Sequence, residues 1–241
     1  MLTTMKYEFM KNRILYAISL GTLALLQVVY LVMLPFSSIK SSNILIPLFL
    51  IFMAGTIIFF LIIINGISLF SRDLRSKSGY LVYMTPTPIP FILSAKILLV
   101  YLSSIIFTLG FFFLGLADLH LLILAGGKYL KDDNDLMPRV IKYLLDNFST
   151  ADVALKLLQG AVIVFNFLST VYFSIGLSQT LLRNKRFGGL ISFLIFIAIT
   201  VFNSFVSHQI SSNVLTYIFH VGLGVFCFIG TSYLLVRKID L

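Results

Sequence analysis

Tryptophan is absent from these 241 residues, cysteine occurs once, histidine three times, and charged side chains make up only 11% of the chain. Each scarcity excludes something. Soluble domains carry about 25% charged residues. A chain that is 59% hydrophobic cannot hide its apolar surface in a water-facing globule, so lipid must be its solvent. The lone Cys227 lies in an apolar run. It rules out both a disulfide framework and a thiolate zinc cluster, and reads as apolar filler. Without tryptophan, the 11 tyrosines are left as the interfacial aromatics. The sequence has no G-x-x-x-x-G-K-[ST], no H-E-x-x-H and no G-x-S-x-G. It therefore lacks a P-loop for nucleotide phosphates, a zincin helix and a hydrolase nucleophile elbow. Gly126-Gly127-Lys128 lacks the upstream glycine of a P-loop.

What is present is a series of long apolar runs. Ile14–Leu34 follows Lys11 and Arg13 and ends at Pro35-Phe36. A secretory signal has an apolar core of about 7–15 residues, so this longer run reads as a retained first span. Ile44–Phe70 is the second span, and the third runs from Phe91 to about Ala117. Leu157–Leu182, Leu190–Val206 and Val214–Val236 are the fourth, fifth and sixth. About 20 apolar residues at 1.5 Å each cross the hydrocarbon. Outer-membrane barrels use short alternating segments, which these runs are not. The fold class is therefore an all-α integral membrane protein with six transmembrane helices. It forms a single domain, 1–241, with an outer loop at 126–156.

The net charge of +9 would suggest nucleic acid in a soluble protein. Here its sidedness decides the matter, and no nucleic-acid partner is expected. With the N-terminus in the cytoplasm, 12 basic residues and three acids face inward, while six of each face outward. The whole net charge then lies on one side, as the positive-inside rule requires, and both termini are expected in the cytoplasm. No charge sits in mid-span. Lys96, near the inner end of the third span, reads as snorkelling to water. Ion-driven carriers usually keep intramembrane charges, so the chain reads as a pathway moved by work done elsewhere.

The remaining polar groups point to no reaction centre. Asp132-Asp133-Asn134-Asp135 resembles a carboxylate cluster for a hard cation, but it falls in the outer loop and reads as solvated. His120, His208 and His220 fall at the outer ends of spans, with Asp118 beside His120. Their separations give no metal-ligand spacing, and they read as interfacial groups. No metal and no catalytic residue is assigned.

The stretch SRDLRSKSGYLVYMTPTPIP, residues 71–90, separates two apolar blocks. Arg72, Asp73, Arg75 and Lys77 hold its start in water, and Leu74, Tyr80, Leu81 and Met84 give an apolar edge interrupted at Gly79. Pro86, Pro88 and Pro90 stiffen the return, with Thr87 as N-cap and Pro88 as the first helical residue. A loop that only connects has no need of such a brace, whereas one that transmits force does.

Leu69–Leu98, LFSRDLRSKSGYLVYMTPTPIPFILSAKIL, resembles the ABC-2 type permease family in its phenylalanine, acidic-basic pair, G-Y-L element, T-P step and A-K opening of the third span. The motif covers 30 residues; the six-span topology covers nearly the whole chain. The resemblance implies that Arg72, Asp73, Leu74, Arg75, Lys77, Gly79, Tyr80 and Leu81 form a coupling helix docked on a separate ATPase. Arg183, Asn184, Lys185 and Arg186 would be a second cytoplasmic contact. Residues 1–13, with Tyr7, Phe9, Lys11 and Arg13, would form an amphipathic helix along the inner interface. Phe52, Phe59, Phe60 and Asn65 on the second span and Phe193, Phe196, Phe202 and Asn203 on the fifth would line the pathway.

With no fused nucleotide-binding domain in this sequence, the resemblance implies a half-size permease. It would pair with a second copy or a sister chain and with two P-loop ATPases, which bind the ATP and magnesium; this chain binds no cofactor. The expected cargo is hydrophobic or amphipathic, an antimicrobial or toxin peptide by preference, exported across a bacterial plasma membrane. The rival reading is a multi-pass enzyme acting on a lipid or peptide at the outer face. A third reading is a non-transporting scaffold or immunity protein. Gly55, Gly66, Gly176, Gly222 and Gly224 are the candidate points of close helix approach.

Overall fold

The computed structural model describes residues 2–36, 41–75, 88–126, 150–181, 188–210 and 212–239. They form six helices: α1 Leu2–Phe36, α2 Ser41–Arg75, α3 Ile89–Gly126, α4 Thr150–Leu181, α5 Gly188–Gln209 and α6 Asn213–Ile239. No strand occurs among the described residues. All six are long and apolar enough to span a membrane, and the chain is a multi-pass membrane protein. Large apolar side chains stand exposed along every helix, among them Ile18, Phe60, Ile106, Ile163, Phe205 and Phe226. That is the distribution a lipid solvent permits.

Helices are the form a chain takes when no water is at hand to satisfy its backbone. Here several hydroxyls comply as well. Ser19 donates to the Leu15 carbonyl at 2.8 Å, Thr108 to Ser104 at 2.8 Å, Ser178 to Ile175 at 3.0 Å and Thr231 to Cys227 at 2.7 Å. Each bond stays on its own helix.

The helices run past the apolar spans at several ends. No break separates residues 1–13 from the first span, because α1 is one helix of 35 residues. Nothing from Leu2 to Leu34 breaks a helix, so a separate interfacial helix at the N-terminus is not formed. At 1.5 Å per residue α1 measures about 52 Å, against about 30 Å of hydrocarbon. Likewise α3 continues past Ala117 to Gly126, and α4 begins at Thr150. Residues 150–156, expected in the outer loop, are therefore helical. The expected proline start also moves. Pro88 precedes the helix, Ile89 is its first residue, and Pro90 occupies the first turn, where a missing N–H leaves no bond unmade. The Pro88 carbonyl accepts from the Phe91 N–H at 3.0 Å.

Tertiary contacts divide the chain into two units. One comprises Lys11–Ile62 and Ser103–Leu155. Its centre is Leu23, Ile58 and Ile62, packed against Leu15, Tyr16, Phe107 and Phe111. Tyr16 donates to Ser103 at 3.4 Å, and the Tyr30 hydroxyl to the Asp118 carbonyl at 3.3 Å. Gln27 donates to the Asp118 carboxylate, which is 4% exposed.

The other unit comprises Met1–Met10, Ile63–Leu102 and Lys156–Leu241. Phe70 stacks on Tyr172 with centroids 4.2 Å apart, and the Tyr172 hydroxyl donates to the Gly66 carbonyl at 3.2 Å. Gly66 is what lets α2 meet α3 here, since a Cβ at that position would overlap Val100 Cγ2. Gly224 serves α6 in the same way beneath the Phe165 ring. Gly222, read as a further point of close approach, faces open space, with nothing within 4 Å of an added Cβ.

Candidate functional site

Two features of the second-described unit stand out chemically: a buried ion cluster and an open cleft. The cluster joins three stretches of sequence. Lys96 Nζ on α3 lies 3.0 Å from Glu8 Oε1 on α1, and it also bonds the Asp73 carboxylate on α2. All three side chains are nearly excluded from solvent, at 4% exposure for Lys96 and 6–7% for its partners. This overturns the reading of Lys96 as a snorkelling side chain. Helix packing closes off its route to water, and the two carboxylates hold it in place. Asp73, expected in water with its neighbours, is buried for the same reason. An unpaired buried charge costs several kcal/mol, and here the cation is doubly paired.

The position of the cluster in the chain matters more than its energy. Asp73 is in the last turn of α2, and Lys96 is in the third turn of α3. The pair therefore clamps the two helices that enclose residues 76–87. Glu8 adds the start of α1 to the same point.

The cleft, of about 930 Å³, lies between α2, α4 and α5. From α2 it takes Ile64, Ile67, Ser68, Ser71 and Arg72, spaced along one helix face. From α4 come Val171, Ser174 and Ile175, and from α5 Gly189, Ser192, Phe193 and Phe196. Phe196 is braced edge-on by Phe167, with ring centroids 5.5 Å apart. Arg72 is exposed and has no ion-pair partner among the described residues, although Asp73 beside it is fully engaged.

The residues expected to act together are only partly gathered. Phe193 and Phe196 line the cleft, but Phe52, Phe59, Phe60, Asn65, Phe202 and Asn203 do not. Phe52, Phe60 and Phe202 are exposed, and Phe59 touches Phe60 edge-on at 5.8 Å. Tyr7, Phe9, Lys11 and Arg13 are exposed on α1. Leu74 is half-buried. The side chain of Arg75, together with Lys77, Gly79, Tyr80 and Leu81, lies outside the described residues, as do Arg183, Asn184, Lys185 and Arg186 and the D-D-N-D run. Among the polar groups expected at the outer ends of spans, His220 Nδ1 accepts from Asn166 Nδ2 at 2.9 Å, and Asp118 is held by Gln27. His120 and His208 are exposed, and no group of three metal-ligating residues occurs among the described residues.

Sequence reasoning missed the Glu8–Lys96–Asp73 cluster and the serines of the cleft. The available signal was Lys96 itself, the only charge between Phe91 and Ala117. A lone cation in such a run calls for an acid near the same end of another span. No family model, curated protein or solved structure is similar enough to this chain to match it.

Proposed function

We propose that this chain is the membrane-spanning permease subunit of an ATP-driven exporter of the ABC-2 type, with both termini in the cytoplasm of a bacterium. Its motor is a separate pair of P-loop ATPases, and its membrane partner is a second copy or a sister chain. The ATPases hold the ATP and magnesium. The observation that best supports this reading is the clamp of Glu8, Lys96 and Asp73. A segment that receives force is useful only if it is mounted stiffly, and the helices on either side of residues 76–87 are tied together by buried charge at Asp73 and Lys96.

In this mechanism ATP closes the ATPase pair, and residues 72–81 move with it as a lever. The clamp passes that movement to α1, α2 and α3 together. ATP shifts the balance between inward- and outward-facing states only to the extent that it favours one of them. The cargo is hydrophobic or amphipathic, with a peptide favoured, because the apolar faces offer few fixed charges for an ion or a sugar.

The test is transport. Inside-out vesicles carrying this chain and a co-purifying P-loop ATPase are expected to accumulate a labelled hydrophobic peptide only with ATP. Replacing Tyr80 and Leu81 together by alanine is expected to abolish uptake and release the ATPase while the chain stays inserted. ATPase retention by that double variant would remove the coupling assignment.

A further inference from the structure

Two walls of the cleft, α2 and α5, are graded from one end to the other, while α4 contributes Val171, Ser174 and Ile175 without such an order. Along α2 its lining changes from Ile64 and Ile67 to Ser68 and Ser71 and then to the Arg72 guanidinium. Along α5 the order is reversed in sequence, with Gly189 and Ser192 first, then Phe193 and Phe196. α2 leads into the charged segment and α5 leads away from one, so the hydroxyls of Ser68, Ser71 and Ser192 gather at the end marked by Arg72. The other end is walled by isoleucine and phenylalanine.

We propose that this cleft is a binding site for an anionic membrane phospholipid, its phosphate on Arg72 and the serine hydroxyls and its acyl chain against Ile64, Phe193 and Phe196. Three observations select this occupant. The grading matches the polarity of a lipid over the depth of one leaflet. The cation at the polar end is exposed and without an ion-pair partner among the described residues. Planar guanidinium also suits bidentate contact with phosphate oxygens, and arginine near the membrane surface attracts anionic lipid. The volume is at the upper end of the usual range for ligand pockets, about 300–1,000 Å³. That is room for a headgroup and the upper part of a chain. The lipid site needs no ATP, but it takes Arg72 from the proposed lever and Phe193 and Phe196 from the expected pathway, so the lipid is measured on this chain without the ATPase.

The experiment uses the full chain in phosphatidylcholine nanodiscs doped with phosphatidylglycerol, followed by native mass spectrometry of the retained lipids. The parent protein is expected to retain phosphatidylglycerol in excess of its share. Arg72→Gln should lower that excess about fivefold, and Arg72→Lys should keep most of it. Lys6→Gln, which removes an exposed charge outside the cleft, should leave it unchanged. Gly189→Leu, which fills the cleft from an exposed helix position, should displace the lipid without touching Arg72, and it gives the reading if Arg72→Gln fails to fold. A photoactivatable phosphatidylglycerol should mark α5 between residues 189 and 196. Unchanged lipid excess in Arg72→Gln, or in Gly189→Leu, overturns the proposal. So does a Phe193→Cys variant that forms disulfide-linked dimers while excluding the lipid, since a second copy would then be the occupant.

Discussion

Replacing Lys96 by methionine tests the packing reasoning most directly. Methionine matches the length of the lysine stem, so the change removes little volume and one charge. Glu8 and Asp73 both bond the same ammonium. Their carboxylates must therefore lie within about 6 Å of each other, a separation at which two like charges repel by about 3 kcal/mol at an effective dielectric of 20. Both also lose their counter-charge in a nearly dry site. Breaking a buried ion pair by removing one partner costs about 3–5 kcal/mol, and the repulsion falls within that range. The unfolding equilibrium in maltoside–SDS mixtures, followed by helical circular dichroism, should shift by about two to three and a half orders of magnitude. Adding Glu8→Gln and Asp73→Asn to Lys96→Met should recover most of the loss, because no net charge then remains buried. A Lys96→Met protein that unfolds like the parent would show that the cluster is hydrated, and the clamp would go with it.

Three other outcomes follow from the contacts described. Gly66→Ala should destabilise by about 1–3 kcal/mol through overlap with Val100, and Val100→Ala in the same chain should relieve most of it in the same unfolding assay. Gln27→Leu should cost about 1.5–3 kcal/mol by taking a donor from the buried Asp118 carboxylate, and the penalty should largely vanish in an Asp118→Asn background. Lys77→Cys should react with a membrane-impermeant maleimide only after the cells are opened. Labelling in intact cells would reverse the proposed orientation and end the ATPase assignment.

How much of this was legible in the sequence depended on distance along the chain. Six spans could be read because each is a property of its own 20-odd residues. Their ends were harder. YEFMKNR looks like a separate amphipathic element, yet Tyr7 to Arg13 simply continue α1, since charge alone does not stop a helix that has no breaker. Lys96 was misread for a different reason. Its partners are 23 and 88 positions away, and no local period records such a meeting. The serines of the cleft carried no signal of their own, because Ser68, Ser174 and Ser192 lie on three helices and acquire meaning only when those helices pack. The phenylalanines assigned to a pathway came from resemblance to a family. Two of them, Phe193 and Phe196, share a lining, while Phe52, Phe60 and Phe202 stand among other exposed apolar side chains.

The buried hydroxyls of Thr170, Ser174, Ser178 and Thr231 each grip a carbonyl of the helix that bears them. Such bonds travel with the helix when it shifts and do not resist the shift. What opposes a slide of α6 along α4 is then the Asn166–His220 hydrogen bond together with steric registration, such as glycine seats under aromatic rings at Gly224 and Gly230. Away from the Asn166–His220 bond, steric registration can be lost and regained at a neighbouring notch without breaking a hydrogen bond between the helices, so this part of the bundle is built with detents and one polar pin.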